Sequence, residues 1–273
     1  MDARPVRPAL RRGARLLIVF VALPMLMGAS ARSRNFVVEA PTEEAAQSIA
    51  RHAETFRQSI AVEWLGQELP DWSQPCPIKV KITEGEAGGV TSFGFAGGRV
   101  TDQRMSVEGR LDRIIASALP HEVTHTIFAA YFGGPMPRWA DEGASLLSED
   151  DRERDRHDQI AARLLARQGA WPLGRLFSIE EYPQDLMGFY GQGYSVSRFL
   201  VEIGGRPRFL HFVKDGMQRG WDVSARDHYG LANCRELDLA WRSWHNVATS
   251  TPSNADAEVV RAQSPEEARV VRR

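Results

Sequence analysis

The feature that most constrains this chain is a pair of histidines one helical turn apart. Residues 121–125 read HEVTH, within a stretch whose apolar residues recur at helical spacing. On a helix of about 3.6 residues per turn, His121 and His125 lie about 40° apart on one face, so both imidazoles can reach one metal ion. Glu122 is turned about 100° away, which suits a residue that acts on water beside the ion. The pattern therefore predicts a metal site with Glu122 as its general base.

A catalytic zinc site needs a third protein ligand and an open position for water. Position 128 is Phe, whereas the extended HExxHxxGxxH pattern requires Gly there, so a third histidine ligand of that type is not expected. Instead, a Gly/Pro break is followed by a second predicted helix that begins near Pro137 and carries Asp141 and Glu142. Adjacent helical positions diverge by about 100°, so normally only one of these carboxylates can face the ion.

The two segments together resemble those of a known enzyme family. HExxH followed by residues 137–143, which read PRWADEG, resembles the gluzincins, in particular the peptidase MA-like group of small exported proteins. The resemblance covers about residues 111–205. It implies that Glu142 is the third ligand and that Asp141 begins the helix or supports a ligand. The implied ligands of one Zn²⁺ ion are His121, His125 and Glu142, and the implied reaction is peptide hydrolysis, with Glu122 moving a proton from water to the departing amine.

A further hydrogen-bond donor is expected to stabilise the oxyanion. Residues 190–194 read YGQGY and resemble a Tyr-x-x-x-Tyr segment that is frequent in this family. Tyr194 is therefore the first candidate for a catalytic donor, and Tyr190 and His228 are the alternatives. Packing beneath the active helix is the competing role for Tyr194.

The rest of the sequence predicts an α+β fold: a zincin-like single domain at 32–246 with a small mixed or antiparallel sheet, an active-site helix and a mainly helical C-terminal half. The predicted strands lie at 36–39, 78–82, 90–95 and about 99–107. The predicted helices lie at about 42–65, 110–131, 137–147, 152–168, 190–203, 206–219 and 235–244. The last two strands form a predicted hairpin, whose edge could bind a peptide backbone, although an ordinary hairpin explains the pattern equally well.

Both ends of the chain differ from the middle. Five arginines within the first fifteen residues precede an apolar run at 16–27 and a small-residue cleavage pattern, Ala-Ser-Ala, at 29–31. Residues 1–31 are therefore predicted to be a signal peptide, with a retained N-terminal membrane anchor as the alternative, and the protein is expected outside the cytoplasm, secreted or periplasmic. The twelve-residue run is shorter than the roughly 20 residues of a membrane-spanning helix. Residues 247–273 are predicted to be a disordered tail.

The overall charge bears on the choice of partner. The chain has 34 Lys and Arg residues against 35 Asp and Glu residues. This balance gives no overall charge that would favour nucleic acid or an anionic membrane surface. The expected partner, a peptide or protein substrate, is what the family resemblance implies.

Two cysteines occur in the chain, Cys76 and Cys234. In an oxidising compartment they could form one disulfide, and this is the expectation for an exported protein. Two buried, unpaired thiols are the alternative.

The sequence thus predicts an exported zinc peptidase. A non-catalytic, metal-binding envelope protein is one alternative, and a zinc amidase that acts on cell-wall peptides is another. The presence of Glu122 favours a catalytic role because a protein that only binds metal has no need of a base.

Overall fold

A computed structural model describes residues 28–250, with side chains for residues 28–246. Most of the predicted signal peptide, residues 1–27, and most of the predicted tail, residues 251–273, lie outside the described residues. The first residues of the predicted tail, 247–250, continue the last helix, so the helix extends beyond its predicted end.

Five strands form one mixed sheet. They are β1 (Ala29–Arg32), β2 (Phe36–Ala40), β3 (Cys76–Ile82), β4 (Gly88–Ala96) and β5 (Arg99–Gly109). Their order is β1-β2-β3-β5-β4, in which β2, β3 and β5 are parallel, whereas β1 and β4 are antiparallel to their neighbours. The predicted hairpin of β4 and β5 is confirmed, and it leaves β4 at one edge of the sheet.

Helices make up most of the remaining chain. They are α1 (Glu43–Leu65), α2 (Leu111–Arg113), α3 (Leu119–Phe132), α4 (Arg138–Ser145), α5 (Asp151–Ala166), α6 (Leu173–Leu176), α7 (Leu186–Gly204), α8 (Arg206–Arg219), α9 (Trp221–Tyr229) and α10 (Cys234–Ser250). The α+β prediction, with a small sheet and a mainly helical C-terminal half, is therefore confirmed.

Helix α3 continues from α2 through a π-turn at Ile114–Ala118. The wider turn lies just before Pro120, where the proline ring would otherwise crowd the carbonyl of the preceding turn. Helix α3 ends at Gly133, which adopts the left-handed conformation with φ 64°. The long helical run across Pro120 gives the HEVTH segment a rigid support.

The core lies between the sheet, α1, α3 and the C-terminal helices. Thr42 caps α1 by accepting a hydrogen bond from the Ala45 amide, as expected for Thr at this position. At the other end of α1, the Trp64 ring packs edge-on against Phe128 of α3, with 4.9 Å between the ring centroids. The apolar face of α3 is thus fixed in the core.

Helix α4 packs very closely against α7. A Cβ atom on Gly143 would lie 2.3 Å from the carbonyl carbon and oxygen of Gly193. Only glycine permits this backbone approach, so the Gly that follows Glu142 in the sequence fixes the position of α4.

Three sequence expectations need correction. Strand β1 was not predicted, although the Ala-Ser-Ala pattern falls inside it and pairs with β2. Helices α6 and α9 were not predicted either, since each is short. The expected disulfide is wrong: Cys76 and Cys234 are both buried, free thiols.

No helix within residues 28–250 is long and apolar enough to cross a membrane.

Candidate metal centre

Helices α3 and α4 bring three potential ligands together. The ring centroids of His121 and His125 are 4.8 Å apart. Oε2 of Glu142 lies 3.5 Å from Nε2 of His121 and 3.9 Å from Nε2 of His125. The potential ligand atoms of these three side chains all lie within 4.8 Å of one another, so the group could hold a metal ion. It is the group of this kind found within the described residues.

The second nitrogen of each imidazole faces a carboxylate. Oδ1 of Asp141 lies 2.8 Å from Nδ1 of His125. Oε1 of Glu149 lies 2.8 Å from Nδ1 of His121, although it is outside the direction of a linear N–H···O bond. Carboxylates in these places hold a proton on Nδ1 and leave Nε2 free to bind a metal. Asp141 therefore supports a ligand, and Glu142 occupies the position expected of the third ligand.

The donor set fits a divalent cation of the zinc type. Nitrogen and oxygen ligands of a tetrahedral zinc, about 2.0–2.1 Å from the ion, are separated by about 3.4 Å, close to the two separations made by Glu142. Two imidazoles and one carboxylate also leave a fourth position for water or substrate.

Ion pairs join the side chains of this cluster. Burial lowers the pKa of His125, but Asp141 outweighs burial and raises that pKa to about 9. Burial likewise raises the pKa of Glu142, but its hydrogen bond to His121 and the charge of His125 lower that pKa to about 2. The neighbouring carboxylates thus favour protonation of the imidazoles, and a metal ion that binds Nε2 competes with the proton at that nitrogen.

Glu122 is held by the edge strand β4. Thr91 donates a 2.6 Å hydrogen bond from Oγ1 to Oε2 of Glu122. A Cβ on Gly89 would lie 2.6 Å from Cγ of Glu122, so only a glycine at this point lets the strand approach so closely. Glu122 is 4% exposed and nevertheless lines the open cleft.

The three ligands and Glu122 open into one cleft of about 1180 Å³. Its walls come from strand β4, helices α3 and α4 and the segment before α7. The residues that line it include Thr91, His121, Glu122, His125, Glu142 and Tyr190. An extended peptide segment can enter a space of this size.

The structure places Tyr194 away from the cleft. Its hydroxyl donates to Oδ2 of Asp158 at 3.5 Å. The side chain is buried and is not among the residues that line the cleft. His228 pairs with Asp215, also away from the cleft. Tyr190 does line the cleft, so of the three candidates only this one reaches it.

Tyr182 is a tyrosine that the sequence patterns missed. Its hydroxyl donates a 2.6 Å hydrogen bond to Oε1 of Glu142, the oxygen turned away from the histidines. Arg138 lies over its ring at 4.3 Å and donates to the backbone oxygen of Glu180. Tyr182 lies in an irregular segment without periodicity, where the only sequence signal is the presence of an aromatic residue.

Comparisons of the chain with protein-family models, with curated protein sequences and with solved structures give no significant match.

Proposed function

We propose that the chain is a zinc-dependent peptidase. The observation that carries the proposal is the convergence of Nε2 of His121, Nε2 of His125 and Oε2 of Glu142 in an open cleft that Glu122 also lines. A purely structural ion pair would not require a base beside an open ligand position.

The protein side chains have separate roles in this proposal. His121, His125 and Glu142 would hold one zinc ion, which, when bound, supplies Lewis acidity to a carbonyl and lowers the pKa of a water molecule. Asp141 orients the imidazole of His125 through its hydrogen bond to Nδ1, and the carboxylate of Glu149 places a negative charge beside Nδ1 of His121.

Glu122 handles the proton. Thr91 donates to one carboxylate oxygen of Glu122 and leaves the other oxygen free to accept a proton from the attacking water. Glu122 then delivers this proton to the amine that leaves as the C–N bond breaks.

Tyr190 replaces Tyr194 as the candidate donor to the oxyanion, because it lines the cleft and because Tyr182 already donates its one hydroxyl proton to Glu142. Burial, as the larger cause, and the contact with Glu142 together raise the pKa of Tyr182 to about 12. Burial also raises the pKa of Tyr190. Both hydroxyls therefore remain protonated near neutral pH, so that Tyr182 keeps its hydrogen bond to Glu142 and Tyr190 can donate one to the oxyanion.

The position of β4 supports an extended peptide as substrate. This strand is at the sheet edge, and its residues Gly89 and Thr91 contact Glu122. A peptide that pairs with the free edge of β4 would pass the base with its backbone extended. An exported location is proposed on the N-terminal sequence alone.

The test compares zinc-loaded wild-type protein with Glu122→Gln on a mixture of unrelated peptides, with cleavage followed by mass spectrometry. The proposal predicts cleavage by the wild type and at least about a 100-fold loss in Glu122→Gln, with zinc retained. Glu44→Gln, at an exposed position on α1, is the matched control and should cleave normally. Peptide cleavage equal in Glu122→Gln and wild type would refute the proposal, and cleavage of peptidoglycan fragments alone would favour the amidase alternative.

A further inference from the structure

The cleft has two chemically different ends. Near the N-terminal end of α3 its lining is polar, with Ser117, Glu149, Glu153, Arg156 and His157. Elsewhere the lining includes a set of large apolar side chains: Phe93, Phe95, Met136, Phe177, Met217 and Trp221. A cleft with this asymmetry distinguishes the side chains of a bound peptide.

The apolar set begins on the edge strand. Successive residues of a strand point to opposite faces, so Thr91 and Phe93 share one face of β4. The pairing with β5 is irregular between Gly94 and Phe95, and Phe95 lines the same cleft. Thr91 contacts Glu122, so the two phenylalanines continue from the base along the cleft. Their ring centroids are 5.9 Å apart, and both rings remain partly exposed.

The direction of β4 places these rings near the C-terminal end of α3. Close to the hairpin turn, a Cβ on Gly133 would lie 2.2 Å from the backbone oxygen of Gly98, so the turn rests on the end of α3. Strand β4 is therefore fixed against α3 at both ends, by Gly89 at Glu122 and by this turn at Gly133. Phe93 and Phe95 lie between these two points.

Helix α8 reaches the same end of α3. Nζ of Lys214 lies 5.4 Å from the ring centroid of Tyr131, in the last turn of α3. Met217, one helical turn beyond Lys214, lines the cleft with 46% of its surface exposed. Large apolar side chains from two separate elements thus line one cleft with the reaction centre, and both elements contact the C-terminal end of α3.

We propose that Phe93, Phe95 and Met217 form an apolar subsite that selects peptides with an aromatic or large aliphatic side chain near the scissile bond. This inference rests on the proposed peptidase function and specifies its substrate class. A strand rises about 3.3 Å per residue, so Phe93 lies about 7 Å along β4 from Thr91, and the selected side chain is about two residues from the bond that is cleaved. Burial of apolar surface from both partners favours such a peptide over one with a charged side chain at that position.

The test uses peptides that differ at one position, two residues from the cleaved bond on either side, with Phe, Leu, Asp or Lys there. Wild-type protein should cleave the Phe and Leu peptides with a kcat/KM about 10- to 100-fold higher than the Asp and Lys peptides on one of the two sides. The variant with both Phe93→Ser and Phe95→Ser should lose most of this preference, and Met217→Glu, on the helical wall, should reduce it independently. Leu239→Ser removes an exposed apolar residue from α10, 59% exposed against 46% for Met217, and should keep the preference.

A binding measurement separates failure of the subsite from failure of the peptidase function. The Kd values of the same peptides for zinc-loaded Glu122→Gln protein, with and without the two Phe→Ser changes, require no turnover. If the wild type cleaves peptides without an apolar preference, or if the Phe→Ser variant keeps that preference, the subsite is refuted and the peptidase proposal stands. If no peptide is cleaved but the Phe and Leu peptides still bind through these rings, the peptidase proposal fails and the subsite stands.

Discussion

Thr91 Oγ1 donates a 2.6 Å hydrogen bond to Oε2 of Glu122, which joins the edge strand of the sheet to the middle of the HEVTH segment. The strand that offers its free edge to a peptide is therefore the strand that orients the base. Substrate position and proton transfer depend on the same contact.

Replacing Thr91 by Val removes this donor and keeps the side-chain shape. We expect kcat to fall by about 10-fold, a part of the 10²–10⁴-fold contribution that general bases make, because Glu122 loses its fixed orientation. Zinc content should stay at the wild-type value because Thr91 contacts none of the three ligands. Thr91→Ser retains the hydroxyl and should stay close to wild type; equal turnover in Thr91→Val would show that the contact does not orient the base.

Asp141→Asn and Glu149→Gln test the carboxylates behind the histidines. Each change removes the negative charge that faces Nδ1 of an imidazole, so we expect zinc affinity to fall by about 10- to 100-fold. Competition with a chelator of known affinity measures the change. Glu86→Gln, at an exposed position, is the control. Unchanged affinity in both variants would mean that these carboxylates do not support the ligands.

Gly143→Ala tests the close packing that positions Glu142. The added methyl group would lie 2.3 Å from the Gly193 carbonyl, so α4 or α7 must shift. We expect the free energy of unfolding to fall by about 1–3 kcal/mol, as for other overpacked sites, and zinc affinity to fall with it. Urea denaturation measures stability. Gly134→Ala is the control because its Cβ would meet no atom within 4 Å, and identical urea midpoints for the two variants would contradict the packing argument.

His157 gives a pH dependence that can be separated from the ligands. Burial lowers its pKa to about 4, whereas the pKa in an unfolded chain is about 6.5. The unfolded state therefore binds the proton more readily than the folded state does. The contribution of neutral His157 to the free energy of unfolding is complete above about pH 6.5 and is lost as the pH falls towards about 4. The difference between these two pKa values corresponds to about 3 kcal/mol in the free energy of unfolding.

The measurement is urea denaturation of metal-free wild-type and His157→Gln proteins at pH 7 and pH 4.5. The variant should lose about 2–3 kcal/mol less stability between the two pH values than the wild type. An equal loss in both proteins would show that His157 does not resist protonation.

Local patterns in the sequence predicted the elements that build the site. The helical spacing around the HEVTH segment and the Gly/Pro break after it correctly gave two helices, and the alternation of residues 78–82 correctly gave β3. The adjacency of His121, His125 and Glu142 followed from helix geometry and the family resemblance together. These features depend on residues within a few turns of each other, where periodicity carries the information.

The features that were missed depend on contacts across the fold. Glu149 and Tyr182 reach the site from segments whose sequence shows no period that would point there, and β1 is too short to show one. Tyr194 was chosen by a sequence spacing, but the rotation of α7 turns its hydroxyl to Asp158 in α5. The disulfide prediction used only the count of cysteines and the expected compartment, which say nothing about whether two Cα atoms come near each other.

The most direct test of the central claim is the zinc content of purified wild-type, His121→Ala, His125→Ala, Glu142→Ala and Asp141→Ala proteins, with circular dichroism to confirm folding. We predict one zinc ion per wild-type chain and loss of stoichiometric zinc in the first three variants, whereas Asp141→Ala binds zinc more weakly but still fills the site at saturating metal. Stoichiometric zinc in a folded Glu142→Ala protein, with none in a folded Asp141→Ala protein, would contradict the proposed ligand set.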